Sequence, residues 1–149
     1  MAINFFEEEI KSSLSKKRIT KQWLRSVAKN KGYTIKDLNY VFCSDEYLLD
    51  INIQYLNHDT YTDIVTFDQS EFDKVIEGDI FISIDRVKEN AKTLKTPYNL
   101  ELLRVLAHGL LHLCGLKDKT EDEKKEMRKE EDAALSLFQQ TTVPRGTVK

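Results

Sequence analysis

The sequence has 149 residues, of which 32% are charged and 40% hydrophobic, and its formal net charge is −2 at pH 7. This length and composition are typical of one soluble domain that buries its own core. The first twenty residues include Glu7, Glu8 and Glu9 and lack a long apolar run, which argues against a secretory signal or a membrane span. We therefore expect a cytoplasmic protein in which Cys43 and Cys114 stay reduced.

Positive charge is concentrated in one segment near the N-terminus. Residues 11–36 contain nine basic side chains and no acidic one, whereas residues 45–89 are dominated by aspartate and glutamate. A block of this kind is typical of a surface that binds a polyanion. A solvated helix face whose charge is offset by acids elsewhere explains the composition equally well, so both interpretations stay open at this point.

Hydrophobic periodicity and turn residues predict alternating strands and helices in the first half of the chain. The predicted elements are a short strand within 3–10, a helix from the cap Thr20 to Gly32, a strand in 33–43, and a helix from the cap Ser44 to Leu56. A polar loop, 57–63, precedes a compact apolar run, 64–67, that predicts a buried strand. A second strand at 80–84 follows an acidic connection, and we expect the two strands to pair antiparallel.

Helices dominate the second half of the chain. Asp85 is placed to cap a helix that stops before Pro97. Asn99 is placed to cap the next helix. Residues 100–113 of that helix are apolar almost all round, as expected of a helix at the centre of a domain.

A last helix is predicted from the capping box that Thr120 and Glu123 can form. Its expected core contacts are Met127, Ala134, Leu135 and Phe138. We interpret the mixed charges in 124–132 as a solvated face and residues 139–149 as a disordered tail. Residues 1–138 then form a single α/β (α+β) domain without internal repeats or linkers.

The central helix contains a histidine pair with the spacing of metal ligands. His108 and His112 lie four residues apart and so share one face of the helix. Gly115 can adopt a left-handed conformation that ends the helix and returns Asp118 towards the same ion. Two histidines and a carboxylate, with a fourth position left to water, are typical of a catalytic zinc site. Two incidental polar residues on a half-buried helix are the alternative, and Cys114 points off this face into the core.

The residue after the first histidine discriminates between classes of hydrolase. A typical zinc protease helix has glutamate there as general base, but this chain has Gly109, so a peptidase would need a base from another segment. Phosphodiester cleavage depends more on metal and cationic stabilisation of charge, and RNA carries its own 2′-hydroxyl. The pattern mildly favours a nuclease, in which the basic helix with Lys21, Arg25 and Lys29 would guide the RNA backbone.

Three segments resemble the YbeY family, a family of bacterial zinc-dependent endoribonucleases of ribosomal RNA maturation. They are His-Gly-x-Leu-His-Leu-x-Gly at 108–115, Leu56-Asn57 followed by Thr-Asp-Ile-Val-Thr-Phe at 62–67, and Gly-Asp-Ile-Phe-Ile-Ser at 78–83. The match runs in the same order over about residues 51–118.

The resemblance implies a small mixed four-stranded sheet covered by about five helices, with a zincin-like metal helix and one Zn²⁺ per chain in a cleft. It also implies cleavage of single-stranded RNA in 16S rRNA 3′-end maturation and ribosome quality control, with the small ribosomal subunit as partner. His108 and His112 match the first two metal ligands of the family.

The third metal ligand departs from the family pattern. Most members have a histidine ten residues after the first, whereas this chain has Asp118. An aspartate is a competent zinc ligand, but its charge weakens the ion as a Lewis acid and raises the pKa of bound water. We therefore expect activity at higher pH or with another metal.

The loop before Thr62 also departs from the family, because it looks shortened and lacks the arginine that relatives usually carry. The role of that arginine is then lost or passes to His58, Lys21 or Arg25. His58 and Asp63 are the candidate catalytic residues in this region. Thr62 and Asp63 match the family motif and can equally serve to hold the loop by hydrogen bonds.

The leading hypothesis is a metal-dependent endoribonuclease acting on ribosomal RNA. One alternative is a ribosome-associated RNA-binding protein with a structural metal and little catalysis, and another is a metallopeptidase. The general base, the cleavage position and the oligomeric state stay open.

Overall fold

In the computed structural model, which describes residues 2–12, 14–57 and 62–142, the chain forms four strands and five helices. In chain order these are β1 (Ala2–Glu8), α1 (Lys17–Asn30), β2 (Thr34–Cys43), α2 (Asp45–Leu56), β3 (Ile64–Asp68), β4 (Val75–Ser83), α3 (Ile84–Leu94), α4 (Tyr98–Leu113) and α5 (Glu121–Thr142). The sheet order is β1-β2-β4-β3, with β3 antiparallel to β4 and the other pairs parallel. The predicted α+β fold with a mixed four-stranded sheet is confirmed. In the ranges that the structure describes, no helix combines the length and the hydrophobicity needed to cross a bilayer.

Helix α4 is the centre of the hydrophobic core, as its apolar sequence predicted. Residues on nearly all sides of it are buried. At Gly109 a Cβ atom would lie 2.9 Å from the Ile64 side chain and 3.0 Å from that of Ile80, so α4 lies directly on β3 and β4. The Tyr40 hydroxyl of β2 donates to the Leu106 carbonyl at 2.8 Å. These contacts fix both the position and the rotation of the helix that contains the histidine pair.

Three predicted helix caps are wrong because an earlier residue caps the helix, and two of them, Thr20 and Asn99, lie inside the helices that they were expected to start. Helix α1 begins at Lys17, so Thr20 lies inside its first turn, where its hydroxyl donates to the Lys16 carbonyl. Helix α4 begins at Tyr98 directly after Pro97, whose φ of −60° suits a helix start, and Asn99 therefore lies within the first turn.

Helices α2 and α3 each have a serine as N-cap. Ser44 caps α2 as predicted and accepts from the Tyr47 amide at 3.2 Å. Ser83, not Asp85, caps α3, because it lies at the end of β4 and already has the extended backbone of an N-cap. The Asp85 carboxylate instead accepts from the Asp45 amide at 2.9 Å.

Strand β3 pairs antiparallel with β4, as predicted, but it is not fully buried. It lies at the edge of the sheet, and Val65 is the one of its residues that is buried. Val65 packs with Cys43 and with Leu48 of α2, which covers that face of the sheet. Thr62 and Asp63, which directly precede β3, line a pocket together with residues of α4.

Helix α5 continues past Phe138 to Thr142 and so includes the first residues of the segment 139–149, which was expected to be a disordered tail. The Trp23 indole donates to the Ala134 carbonyl at 2.7 Å, and its ring meets the Phe138 ring edge-to-face at 5.1 Å. This docking on α1 stabilises the end of α5 against fraying. Residues 143–149 lie outside the described part of the chain, so disorder there stays a prediction.

Gly78 of β4 is expected to be intolerant of substitution. A Cβ atom there would lie 2.5 Å from the Phe67 carbonyl oxygen of β3. Gly78→Ala should therefore lower the free energy of unfolding by about 1–3 kcal/mol, because β3 must move away from β4. Urea unfolding of the two proteins measures the difference, and equal midpoints would contradict this close approach.

Candidate metal centre

The side chains of His108, His112 and Asp118 converge at the C-terminal end of α4. The Asp118 Oδ2 atom lies 3.3 Å from His108 Nε2 and 3.4 Å from His112 Nε2. One ligand atom from each residue lies within 4.8 Å of the others. Gly115, with φ of +95°, ends the helix, and the Leu116 amide donates back to the Leu111 carbonyl. This turn brings Asp118 back to the two histidines.

The spacing of these donor atoms fits a tetrahedral metal ion. Zn²⁺ binds nitrogen and oxygen at about 2.0–2.1 Å, which puts two ligand atoms of a tetrahedron about 3.3–3.4 Å apart. Both nitrogen–oxygen separations in the site match that value. The three side chains are between 21% and 37% exposed, so a substrate can reach the donors. The residues fit a divalent ion with a free coordination position.

Hydrogen bonds at the other ring nitrogens orient both imidazoles. His112 Nδ1 donates to the Leu116 carbonyl at 3.0 Å. His108 Nδ1 lies 2.6 Å from Glu131 Oε2 and donates to that carboxylate. Protonation at Nδ1 leaves the Nε2 lone pair of each ring free for a metal, as in carboxylate–histidine–metal triads.

Glu131 belongs to the site, which corrects its assignment to a solvated charged face. It is only 6% exposed and accepts from Arg104 Nη1 at 2.9 Å. The other guanidinium nitrogen of Arg104 donates to Asp132 at 2.8 Å. A buried carboxylate needs such partners, because an unpaired buried charge is strongly destabilising.

Helical spacing is a sequence signal that could have identified Glu131 and Arg104 as residues of the site. Glu131 lies four residues after Met127 and three before Ala134, and so belongs to the apolar face of α5. Arg104 lies four residues before His108 and so continues the polar stripe of α4. A charged residue on an otherwise buried helix face is the signal, but it does not name the partner.

The pKa values of the hydrogen-bonded pair His108 and Glu131 shift in opposite directions. Burial lowers the pKa of His108, but the hydrogen bond and charge of Glu131 and the charge of Asp118 raise it by more. Burial raises the pKa of Glu131, but the hydrogen bonds from His108 and Arg104 bring it below its ordinary value. Glu131 is therefore ionised at neutral pH and able to fix the His108 ring.

An open pocket surrounds the three donors. Its lining residues are Thr62, Asp63, Ile64, Glu101, Arg104, Val105, His108, His112, Asp118, Arg128 and Glu131. Burial raises the pKa of the Asp63 and Glu101 carboxyls. The Thr62 hydroxyl donates to the Ile64 carbonyl, and the Asp63 carbonyl accepts from the Ser83 amide. Thr62 therefore holds the loop, whereas Asp63 does so through its backbone and also lines the pocket.

The basic candidates of α1 are separate from this pocket. Lys21, Arg25 and Lys29 lie on α1, and none of them lines it. His58 lies outside the described residues. Cys114 is buried, and burial raises the pKa of its thiol to about 12, in agreement with a packing role.

An α+β domain whose buried helix and following turn present two imidazoles and a carboxylate has the site of a mononuclear metallohydrolase. The family model described as "Endoribonuclease YbeY" matches residues 2–139, and the chain belongs to this family. The chain is similar to the "Endoribonuclease YbeY" of Cytophaga hutchinsonii, with 57% identity over 135 residues, which cover 91% of this chain and 94% of that protein. The Parabacteroides distasonis protein of the same name is 47% identical over 138 residues, which cover 93% and 96%.

A solved structure agrees with the fold. The solution structure of a Thermotoga maritima protein superposes with a TM-score of 0.65 at 22% identity and covers 99% of this chain and 100% of that one. At this identity the likeness supports the architecture alone.

Glu131→Gln tests the orienting role of the buried carboxylate. The amide preserves the shape but loses the charge that fixes the His108 ring, so affinity for Zn²⁺ or Co²⁺ should fall about 10- to 100-fold. Competition with a chromogenic chelator measures the affinity. Glu130→Gln is the matched control, because Glu130 pairs on the surface with Lys31. Equal metal affinities of the two variants would refute the role of Glu131.

Proposed function

We propose that the protein is a zinc-dependent endoribonuclease that cleaves single-stranded ribosomal RNA in the cytoplasm, in 16S rRNA 3′-end maturation and ribosome quality control. The observation that carries this proposal is the convergence of His108 Nε2, His112 Nε2 and Asp118 Oδ2 at separations of 3.3 and 3.4 Å between the nitrogens and the oxygen. Family membership supports the reaction class, and the donor set supports the metal.

The donor set suits an anionic substrate. Two neutral imidazoles and one carboxylate leave a net charge of +1 on a divalent centre. A bound divalent ion polarises a phosphoryl oxygen and lowers the pKa of a water molecule. Asp118 reduces this effect relative to a neutral third ligand, which supports an alkaline activity profile.

Asp63 is the proposed proton-transfer residue. It lines the pocket beside the donors but is not one of the three convergent ligands. Burial raises the pKa of its carboxyl, which makes it a better proton acceptor than an exposed aspartate. In this proposal Asp63 transfers the proton, whereas His108, His112 and Asp118 only bind the metal.

Arg128 is the proposed phosphate-binding residue of the pocket. Arg104 also lines it, but Glu131 and Asp132 already engage its two terminal guanidinium nitrogens, Nη1 and Nη2. Arg128 is exposed and has no ion-pair partner within 4 Å in the described ranges, and its charge acts against the rise in the pKa of Glu101. An exposed guanidinium can bind a phosphodiester oxygen and would replace the arginine that the loop before Thr62 lacks.

Packing at Gly109 counts against the metallopeptidase alternative. The general base of a zinc protease helix follows the first histidine directly. At that position a Cβ atom would already lie 2.9 Å from Ile64. A glutamate there would project between α4 and the sheet, and the side chains of Ile64 and Ile80 would have to move to make room for it.

Metal removal separates an enzyme from a binding protein. Chelation should abolish cleavage of a single-stranded oligonucleotide that contains the 16S rRNA 3′ end, and added Zn²⁺ should restore it. His112→Ala and Asp118→Asn should each lower the cleavage rate about 100-fold or more but retain RNA binding. Asp122→Asn, at the exposed start of α5, is the control. An inactive, metal-loaded wild type that binds RNA would instead establish the non-catalytic alternative.

Arg128→Gln tests the phosphate contact. Loss of one charge-assisted hydrogen bond should lower kcat/KM about 10- to 100-fold without changing zinc content. Lys129→Gln removes the same charge from the adjacent, exposed position outside the pocket and should leave kcat/KM unchanged. Equal losses in the two variants would indicate a general charge effect and contradict the contact.

A further inference from the structure

A cluster of cationic side chains, separate from the candidate metal centre, lies where α1 meets the sheet. Arg25 and Lys29 of α1 line a surface depression together with Tyr33. Lys74 directly precedes β4, and its ammonium group lies 4.7 Å from the centroid of the Tyr33 ring. The Thr34 amide donates to the Lys74 carbonyl at 2.9 Å and so fixes Lys74 beside the depression. We call Arg25, Lys29, Tyr33 and Lys74 the Tyr33 cluster.

The three cations of the Tyr33 cluster carry uncompensated charge. None of them forms an ion pair with a residue that the structure describes, and no acidic residue lines the depression. Neighbouring lysines differ in this respect. Lys31 pairs with Glu130 at 3.3 Å, and Lys36 pairs with Glu77 at 3.5 Å. Positive charge is therefore available to a ligand at the cluster.

The Tyr33 cluster adjoins the turn that holds the metal donors. The Tyr33 hydroxyl lies 3.6 Å from the position that a Cβ on Gly115 would occupy. Gly115 is exposed, and Asp118 is three positions further along the chain, a span of at most about 11 Å. Lys117 and Lys119 are exposed on either side of Asp118. Positive charge thus continues from the cluster along the turn to the metal site.

This arrangement suits a flexible polyanion that passes from α1 to the pocket. Single-stranded nucleic acids bind in positively charged grooves that follow the backbone, often beside aromatic rings. We propose that the Tyr33 cluster binds backbone phosphates of single-stranded RNA next to the scissile bond. This inference rests on the proposed nuclease function and adds the path by which the substrate reaches the site. Lys74 and Tyr33 extend the path beyond the basic helix that the sequence indicates.

RNA affinity tests the cluster without any cleavage. The probe is a fluorescent 2′-O-methyl 12-nucleotide single strand, which has no free 2′-hydroxyl nucleophile, and electrophoresis after each measurement verifies that water has not cleaved it. Lys29→Gln/Lys74→Gln should weaken binding about tenfold at about 0.1 M salt, and should lower the slope of log K against log salt by about 1.4. The matched control is Lys88→Gln/Lys92→Gln, which removes two exposed charges from α3. Fluorescence anisotropy measures both quantities.

A short substrate distinguishes the cluster from the metal site. Cleavage of a dinucleotide, whose single phosphodiester is the scissile bond and leaves no phosphate for the cluster, should have the wild-type kcat/KM in the Lys29→Gln/Lys74→Gln variant, whereas cleavage of a 12-nucleotide RNA should decline about tenfold. If wild type binds RNA but cleaves neither substrate, the nuclease function fails while the affinity loss still supports the cluster. If the variant binds RNA as tightly as the α3 control does, the cluster proposal is wrong, whatever the activity.

Discussion

The contact between α4 and the sheet at Gly109 is the constraint on which the site depends. Because this residue has no side chain, the helix backbone lies against Ile64 and Ile80, and α4 can neither rotate nor move outward without opening the core. His108 and His112 then have fixed directions before any ligand binds. A pre-oriented donor pair loses little conformational entropy on binding a metal, which favours a well-defined site.

The buried polar network beside α4 connects the metal centre to the packing of α5. Glu131 accepts from His108 and Arg104, so that the charge of this carboxylate is compensated inside the protein. Trp23 holds the same helix on α1 through the Ala134 carbonyl. The position of α5 is thus set by its contact with α1 at one place and by a hydrogen bond to a metal-ligating candidate of α4 at another. A substitution that loosens the packing of α5 should therefore disturb the orientation of His108.

The predictable part of the fold is the part governed by local pattern. The cap at Ser44 and the capping box of Thr120 and Glu123 form as the sequence indicates, because their hydrogen bonds join residues three apart. Thr20 fails as a cap because the helix gains a further turn before it, and the helix start is decided by competition among adjacent residues. The exposure of β3 was not predictable, since an edge position is a property of the whole sheet.

The sequence by itself determined the candidate metal donors, because His108, His112 and Asp118 lie within one helix and the turn after it, where spacing dictates which side chains meet. Only the tertiary structure decided that Glu131 orients His108 and that Lys74 stands over Tyr33 beside the basic helix. Those pairs lie far apart along the chain, and their meeting depends on how α5 and the sheet pack against α4 and α1. Local geometry is encoded in the order of residues, whereas the choice of distant partners is made by the packing of the core.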